Sequence, residues 1–102
     1  MDDHSMRRYV MAFLSRGPNR PATPEASETI FRGHLANIGR LKRGGKILIS
    51  GPFMDDGDLK GILLFDTESI EEARDLCDSD PAIAAGVFRV ELKPWYGAKG
   101  IG

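Results

Sequence analysis

The stretch KILISGPFMDDGDLKGILLF, residues 46–65, decides the fold. Both ends are apolar and rich in isoleucine and leucine. The middle holds Gly51-Pro52 and then Met54-Asp55-Asp56-Gly57-Asp58, a composition that belongs to a turn. Two strands follow, Lys46 to Ser50 and Leu59 to Asp66, and strands joined in this way are antiparallel neighbours.

Outward from this hairpin, each side carries one helix and one further strand. Upstream, Thr23 is an N-cap before Pro24, and Glu25 and Glu28 suit the positive end of the dipole of a helix running from Pro24 to about Arg43. Ile30, His34, Ile38 and Leu41 share one face of it, flanked by Phe31 and Leu35. Arg40, Lys42 and Arg43 sit at the negative end, and Gly44-Gly45 stops it. Before the helix comes a loop, Gly17 to Ala22, and before that Arg8 to Ser15, whose apolar run Tyr9 to Leu14 reads as a central strand buried on both faces. Downstream, Ser69-Ile70-Glu71-Glu72 is a capping box. It opens a helix to about Asp78, with Ile70, Ala73, Leu76 and Cys77 inward, which Asp80-Pro81 breaks. A short turn through Ala82 to Gly86 leads to a fourth strand, Val87 to Lys93, which alternates polar and apolar residues like an edge strand. The order βαββαβ has one common solution, an α+β ferredoxin-like antiparallel sheet with both helices on one face.

At 102 residues the chain has the size of one domain. Residues 8–102 form it, and residues 1–7 are expected to be a disordered leader outside the fold. A 41% apolar and 28% charged composition is that of a soluble globular protein, and one cysteine excludes an internal disulfide. The net charge of -1 gives no global attraction to nucleic acid or to an anionic membrane. No apolar run reaches the roughly 18 residues of a membrane span, and no signal-peptide pattern is seen, so the expected location is cytoplasmic. The charge is divided, however: residues 1–46 carry nine Lys/Arg against four Asp/Glu, and residues 47–102 carry five against eleven.

Helices on one face leave the other sheet face bare, yet the first and third strands are apolar on both sides. An uncovered apolar patch of that size calls for a cover, and a second copy of the chain is the simplest one. The expected partner is therefore a homodimer mate packed sheet to sheet.

His34 is the most informative single residue, because it occupies the centre of an apolar helical stripe where leucine would pack better. It is either a core histidine with one satisfied hydrogen bond or a general acid or base oriented by a carboxylate. A satisfied core histidine would make His34→Leu destabilising, whereas a polar group kept there for chemistry would make the change neutral or stabilising. Asp80 and Asp55 are the candidate carboxylates, although an Asp-Pro pair also stops helices and aspartates are common in turns. Ser15 and Ser50 end strands and could offer hydroxyls. Trp95-Tyr96 follows the fourth strand and could wall a pocket or pack on a partner. Cys77 reads as an inert buried thiol. Gly97-Ala98-Lys99-Gly100 lacks the spacing of a phosphate-binding loop, two histidines and one cysteine make no zinc pattern, and Ile62 and Leu64 stand where an RNA-binding sheet would need aromatics. No metal, cofactor or nucleic acid is expected.

Together the residues resemble the YCII-related (YciI-like) family. The resemblance rests on a first strand ending in a Gly-Pro loop, His34-Leu35, Gly44-Gly45-Lys46-Ile47-Leu48 into Gly51-Pro52-Phe53, Asp80-Pro81 followed by Ala85-Gly86, and Lys93-Pro94-Trp95. It implies a dimeric α+β barrel. It also implies active-site roles for His34 and Asp80, with Asp55 in the variable turn, and Ser15, Phe53 and Trp95 become candidate substrate-binding residues. Relatives include an enzyme that removes chloride from a chlorinated hydroxyhydroquinone, and the wider superfamily contains lactone isomerases. The implied activity is cofactor-independent acid/base chemistry, elimination (dehydrochlorination) or isomerisation, on a small cyclic or aromatic-derived substrate. The alternative is a non-catalytic module that binds a small molecule for regulation.

Overall fold

Among the described residues four strands and three helices follow one another as β1 (Met6–Arg16), α1 (Pro24–Arg43), β2 (Ile47–Pro52), β3 (Leu59–Phe65), α2 (Ile70–Asp78), α3 (Pro81–Ala84) and β4 (Phe88–Ala98). The computed structural model describes residues 5–101. All strand pairs are antiparallel, and the sheet order is β2-β3-β1-β4. The two strands that are apolar on both sides take the centre, and the two-faced fourth strand takes an edge, because only central strands are covered by neighbours along both margins. The fold is the ferredoxin-like α+β arrangement, with the helices on one face.

Alternation along the strands assigns the faces. Val10, Ala12 and Leu14 of β1 pack with Leu63 and Phe65 of β3 under Leu41 of α1 and Ala73 and Cys77 of α2, and this is the hydrophobic core. Tyr9, Met11 and Phe13 point the other way, opposite Trp95, Lys93 and Glu91 of β4. Thr23 caps α1 by accepting from the Ala26 N–H at 3.1 Å. Ser69 caps α2 by accepting from Glu72 N–H, but the reciprocal half of the expected box is replaced by a relay. Ser69 N–H donates to the Thr67 hydroxyl, which in turn donates to the Glu72 carboxylate.

Several boundaries differ from the sequence-based expectation, among them the end of β2, which runs on through Gly51 and Pro52, paired with Ile62 and Gly61, instead of turning there. The strand β1 begins at Met6, so residues 6 and 7 belong to the sheet rather than to a leader. Pairing with the long β4 extends it, from Met6 opposite Ala98 onward. Residues 1–4 lie outside the described residues. The strand β4 runs on through Pro94 to Ala98, so Trp95 and Tyr96 are part of the strand and do not follow it. An edge strand tolerates a proline whose missing N–H would face outward. Finally, the segment after Asp80 is a one-turn helix, α3, with Asp80 as its N-cap.

Cys77 lies in the core, free and 1% exposed. Burial pushes its thiol from 9.0 up to about 12, with Arg74 pulling it down and Asp78 and Asp80 pushing it up by less. In the unfolded chain the thiol ionises near its ordinary value, so between roughly pH 9 and 12 unfolding releases a proton that folding retains. Stability attributable to this group is therefore intact below pH 9 and falls as pH rises, by up to about 1.4 kcal/mol per unit. Urea melts of the protein and Cys77→Ala at pH 8 to 11 should converge as pH rises; a constant difference between the two would contradict this assignment.

Candidate active site

The site is built where α1 and α3 meet above the sheet. His34 lies on the inner face of α1 and is 6% exposed, and Asp80 at the start of α3 is 2% exposed. Their side chains meet, Nδ1 of His34 lying 2.7 Å from Oδ2 of Asp80. A carboxylate accepts, so Nδ1 carries the hydrogen. The other carboxylate oxygen, Oδ1, accepts from the backbone N–H groups of Ala82 at 2.8 Å and Ile83 at 3.4 Å. Asp-Pro at positions 80–81 is thus an N-cap followed by a proline at the first helical position. The cap and the histidine partner are one side chain.

Close approach of the two helices makes this pairing possible. Gly33 stands next to His34, and a methyl group there would come within 2.8 Å of Pro81 Cγ. Glycine lets the proline ring rest against α1, which brings the neighbouring Asp80 within reach of His34. One turn further along α1, Asn37 is also buried; its Oδ1 accepts from the Arg40 guanidinium and lies 3.3 Å from the Ser79 hydroxyl, which donates to the Leu76 carbonyl at 2.6 Å. Nothing in the sequence pattern singled out Asn37. Its place three residues after His34, on the same helix face, is the signal that was available.

The imidazole lines a cavity of about 410 Å³ between α1 and the sheet. Phe88 packs near the ring at 5.2 Å between centroids, and the Phe31 centroid lies 6.1 Å from it. Leu35, Phe53 and Ser50 add to the wall. Among the described residues no buried side-chain nitrogen or oxygen lacks a partner, and Nε2 makes no hydrogen bond. Nε2 is therefore the accessible nitrogen, on the side of the ring away from Asp80.

Of the residues singled out from sequence as candidates for the site, His34, Ser50, Phe53 and Asp55 line this cavity, and Asp80 stands behind the imidazole. Asp55 is exposed at the cavity wall and is not bonded to His34, so the pairing left open between the two aspartates falls to Asp80. Ser15 and Trp95, the other candidate substrate-binding residues, are on the opposite face of the sheet, away from this cavity. Ser15 pairs with Leu59 and Arg89, and Trp95 pairs with Tyr9. The indole lies over Gly97 and 6.0 Å from the Tyr9 ring, whose other contact is the Arg7 guanidinium. Among the described residues no group of three or more His, Cys, Asp or Glu is arranged to hold a metal ion.

Replacing Asp80 with Ala removes the α3 cap and leaves a buried histidine N–H without a partner. The expected loss is about 2 to 4 kcal/mol. Asp80→Asn keeps a capping oxygen and should lose less. Urea unfolding of the two variants gives the ranking, and equal losses would separate the cap from the pair.

The YCII-related domain model matches residues 11–96. The uncharacterised protein YjpA of Bacillus subtilis (strain 168) is 30% identical over 73 residues, 72% of this chain and 84% of its own length. The protein YciI of Escherichia coli O6:H1 is 28% identical over 94 residues, 83% of this chain and 96% of its own length. Among solved structures, 5-chloro-2-hydroxyhydroquinone dehydrochlorinase (TftG) from Burkholderia phenoliruptrix AC1100, in complex with 2,5-dihydroxybenzoquinone, superposes with a TM-score of 0.60 at 26% identity. That match covers 84% of this chain and 92% of the other. The domain match spans the core strands, His34 and Asp80 alike, and the chain belongs to the YCII-related family.

Proposed function

We propose that this protein is a small enzyme that uses His34 as general acid and base on a cyclic or aromatic-derived substrate. The observation that carries the reading is the buried 2.7 Å contact between His34 and Asp80, with the free side of the same imidazole lining a cavity. At about 410 Å³ that cavity is within the range of small-molecule sites, and its phenylalanines suit a planar ring.

Nε2 takes a proton from the bound substrate, and the electron pair left behind moves into the conjugated ring. In an elimination that pair expels the leaving group as an anion. In an isomerisation the proton returns at another position. Asp80 fixes the tautomer through Nδ1–H and stabilises the imidazolium while it exists, as a carboxylate does behind any histidine base. Its own second oxygen is held by two backbone N–H groups, which keeps the carboxylate from turning away. Kinship with a dehydrochlorinase supports elimination as the first reaction to test.

The substrate would be 5-chloro-2-hydroxyhydroquinone or a ring acid like it, and chloride release is the assay. His34→Gln should lower the rate by about 10² to 10⁴ while leaving binding of 2,5-dihydroxybenzoquinone, followed by thermal shift, nearly intact. If the protein binds the quinone but neither it nor the variant releases chloride or exchanges a substrate proton with solvent, a ligand-binding module without turnover is the better reading.

The bare sheet face supports a homodimer. Ile49 and Leu59 are exposed on it, with Met11, Phe13 and Ile62 half-buried between them. Two such faces packed against each other would form the closed dimeric barrel, with Trp95 at the margin. A cytoplasmic location goes with this reading, since the one thiol of the chain is free and buried. No helix among the described residues is long and apolar enough to cross a membrane. Light scattering on the eluting protein should give twice 11.2 kDa. Phe13→Glu, which places a second carboxylate opposite Glu91, should give the monomer; an unchanged mass for the variant would move the interface elsewhere.

A further inference from the structure

Beside the His34 cavity lies a smaller concavity of about 260 Å³ walled by Arg16, Arg20, Lys60, Val87 and Phe88. Lys60 and Phe88 belong to both, so the two spaces share a wall. Three cations and no carboxylate line the smaller one. Three cations would repel one another there unless something neutralised them, and among the described residues none of the three is in an ion pair. The neighbouring Asp58 does not serve. Its backbone carbonyl accepts from Arg16 N–H at 2.9 Å, but its carboxylate turns to Arg89 at 3.7 Å.

The backbone places these cations. Arg16 ends β1 opposite Phe88, on the helix side of the sheet. Arg20 sits in the following loop, which Asn19 ties to the end of α3 through Ala85 and Gly86. Lys60 is the extra residue of a β-bulge: Leu14 pairs with Gly61 and Ser15 with Leu59, leaving Lys60 without a counterpart. Strict alternation would send its side chain to the bare face. At the bulge it is half-buried and lines both cavities.

We propose that this basic concavity binds the anionic group of a small ring acid whose ring lies in the His34 cavity, the ligand being an ionised carboxylate or an acidic enol. The inference rests on the reading of the His34 cavity as the ligand site, and adds the charge of the ligand and the residues that select it. Arginine and lysine donors make charge-assisted hydrogen bonds with an oxyanion that a neutral amide of the same shape cannot match. An anion held there also keeps the ring against Phe88, within reach of Nε2.

Benzoate and benzamide are the probes, having nearly the same shape and differing in charge. In a titration followed by NMR, benzoate should perturb the Arg16 and Arg20 side chains together with the His34 ring, and bind at least about tenfold more tightly than benzamide. The preference should shrink with added salt and in the Arg16→Gln/Lys60→Gln double variant. Lys60→Arg should keep it, which separates loss of charge from loss of fold. His34→Gln should keep it too. If discrimination persists in a protein that never turns over a substrate, the anion site stands and the catalytic reading falls. Equal affinity for the two probes, or a preference that survives the double variant, overturns the proposal.

Discussion

Both oxygens of the Asp80 carboxylate are committed, and the site follows from that division. One oxygen closes the first turn of α3 and the other holds His34, so a single buried charge joins a helix start to a helix side across 46 residues of sequence. A carboxylate this deeply buried would be very costly alone, and the paired N–H groups are what make it tolerable. The constraint reaches outward. The helices must approach closely enough for Pro81 to touch Gly33, and the Ser79 hydroxyl, just before the pair, lies 3.3 Å from Asn37 on the same face of α1.

The sheet divides the remaining work between its faces. Toward the helices the central strands supply the core and the floor of the cavity. Away from them, Tyr9 is buried without any helix above it, because Trp95 folds across Gly97 and the Tyr9 hydroxyl donates to the carbonyl of Ala98 at 2.8 Å. That local packing protects only one end of the bare face. The stretch around Ile49 and Leu59 keeps its apolar surface exposed.

Element order was legible because hairpin, caps and helix stops are local signals. The helix Pro24–Arg43 is bounded by Thr23-Pro24 on one side and Gly44-Gly45 on the other, and no tertiary contact is needed to place it. The strand ends were not legible, since β4 continues past Pro94 only because β1 pairs with it along its whole length. The candidate site divided in the same way. His34 stood out as a polar residue on an apolar stripe, whereas the choice between Asp80 and Asp55 needed the fold, both being ordinary as sequence. Lys60 was hidden for a different reason. A bulge shifts one residue to the other face, and period-two reading carries no mark of where it occurs.

Stability and chemistry cannot be pulled apart at His34 by asking whether leucine packs better. The sequence suggested that they could, on the supposition that a functional histidine stands alone on the stripe. With Asp80 2% exposed behind it, leucine would strand a carboxylate in the core whatever the histidine is for. A destabilised leucine variant is then required by both roles and decides neither. What differs between the roles is the far nitrogen. A purely structural pair uses Nδ1 and is indifferent to Nε2, whereas an acid/base site depends on Nε2 being accessible beside a space that admits a ring. That is the geometry found here, and the cavity side of the imidazole is therefore where function has to be sought.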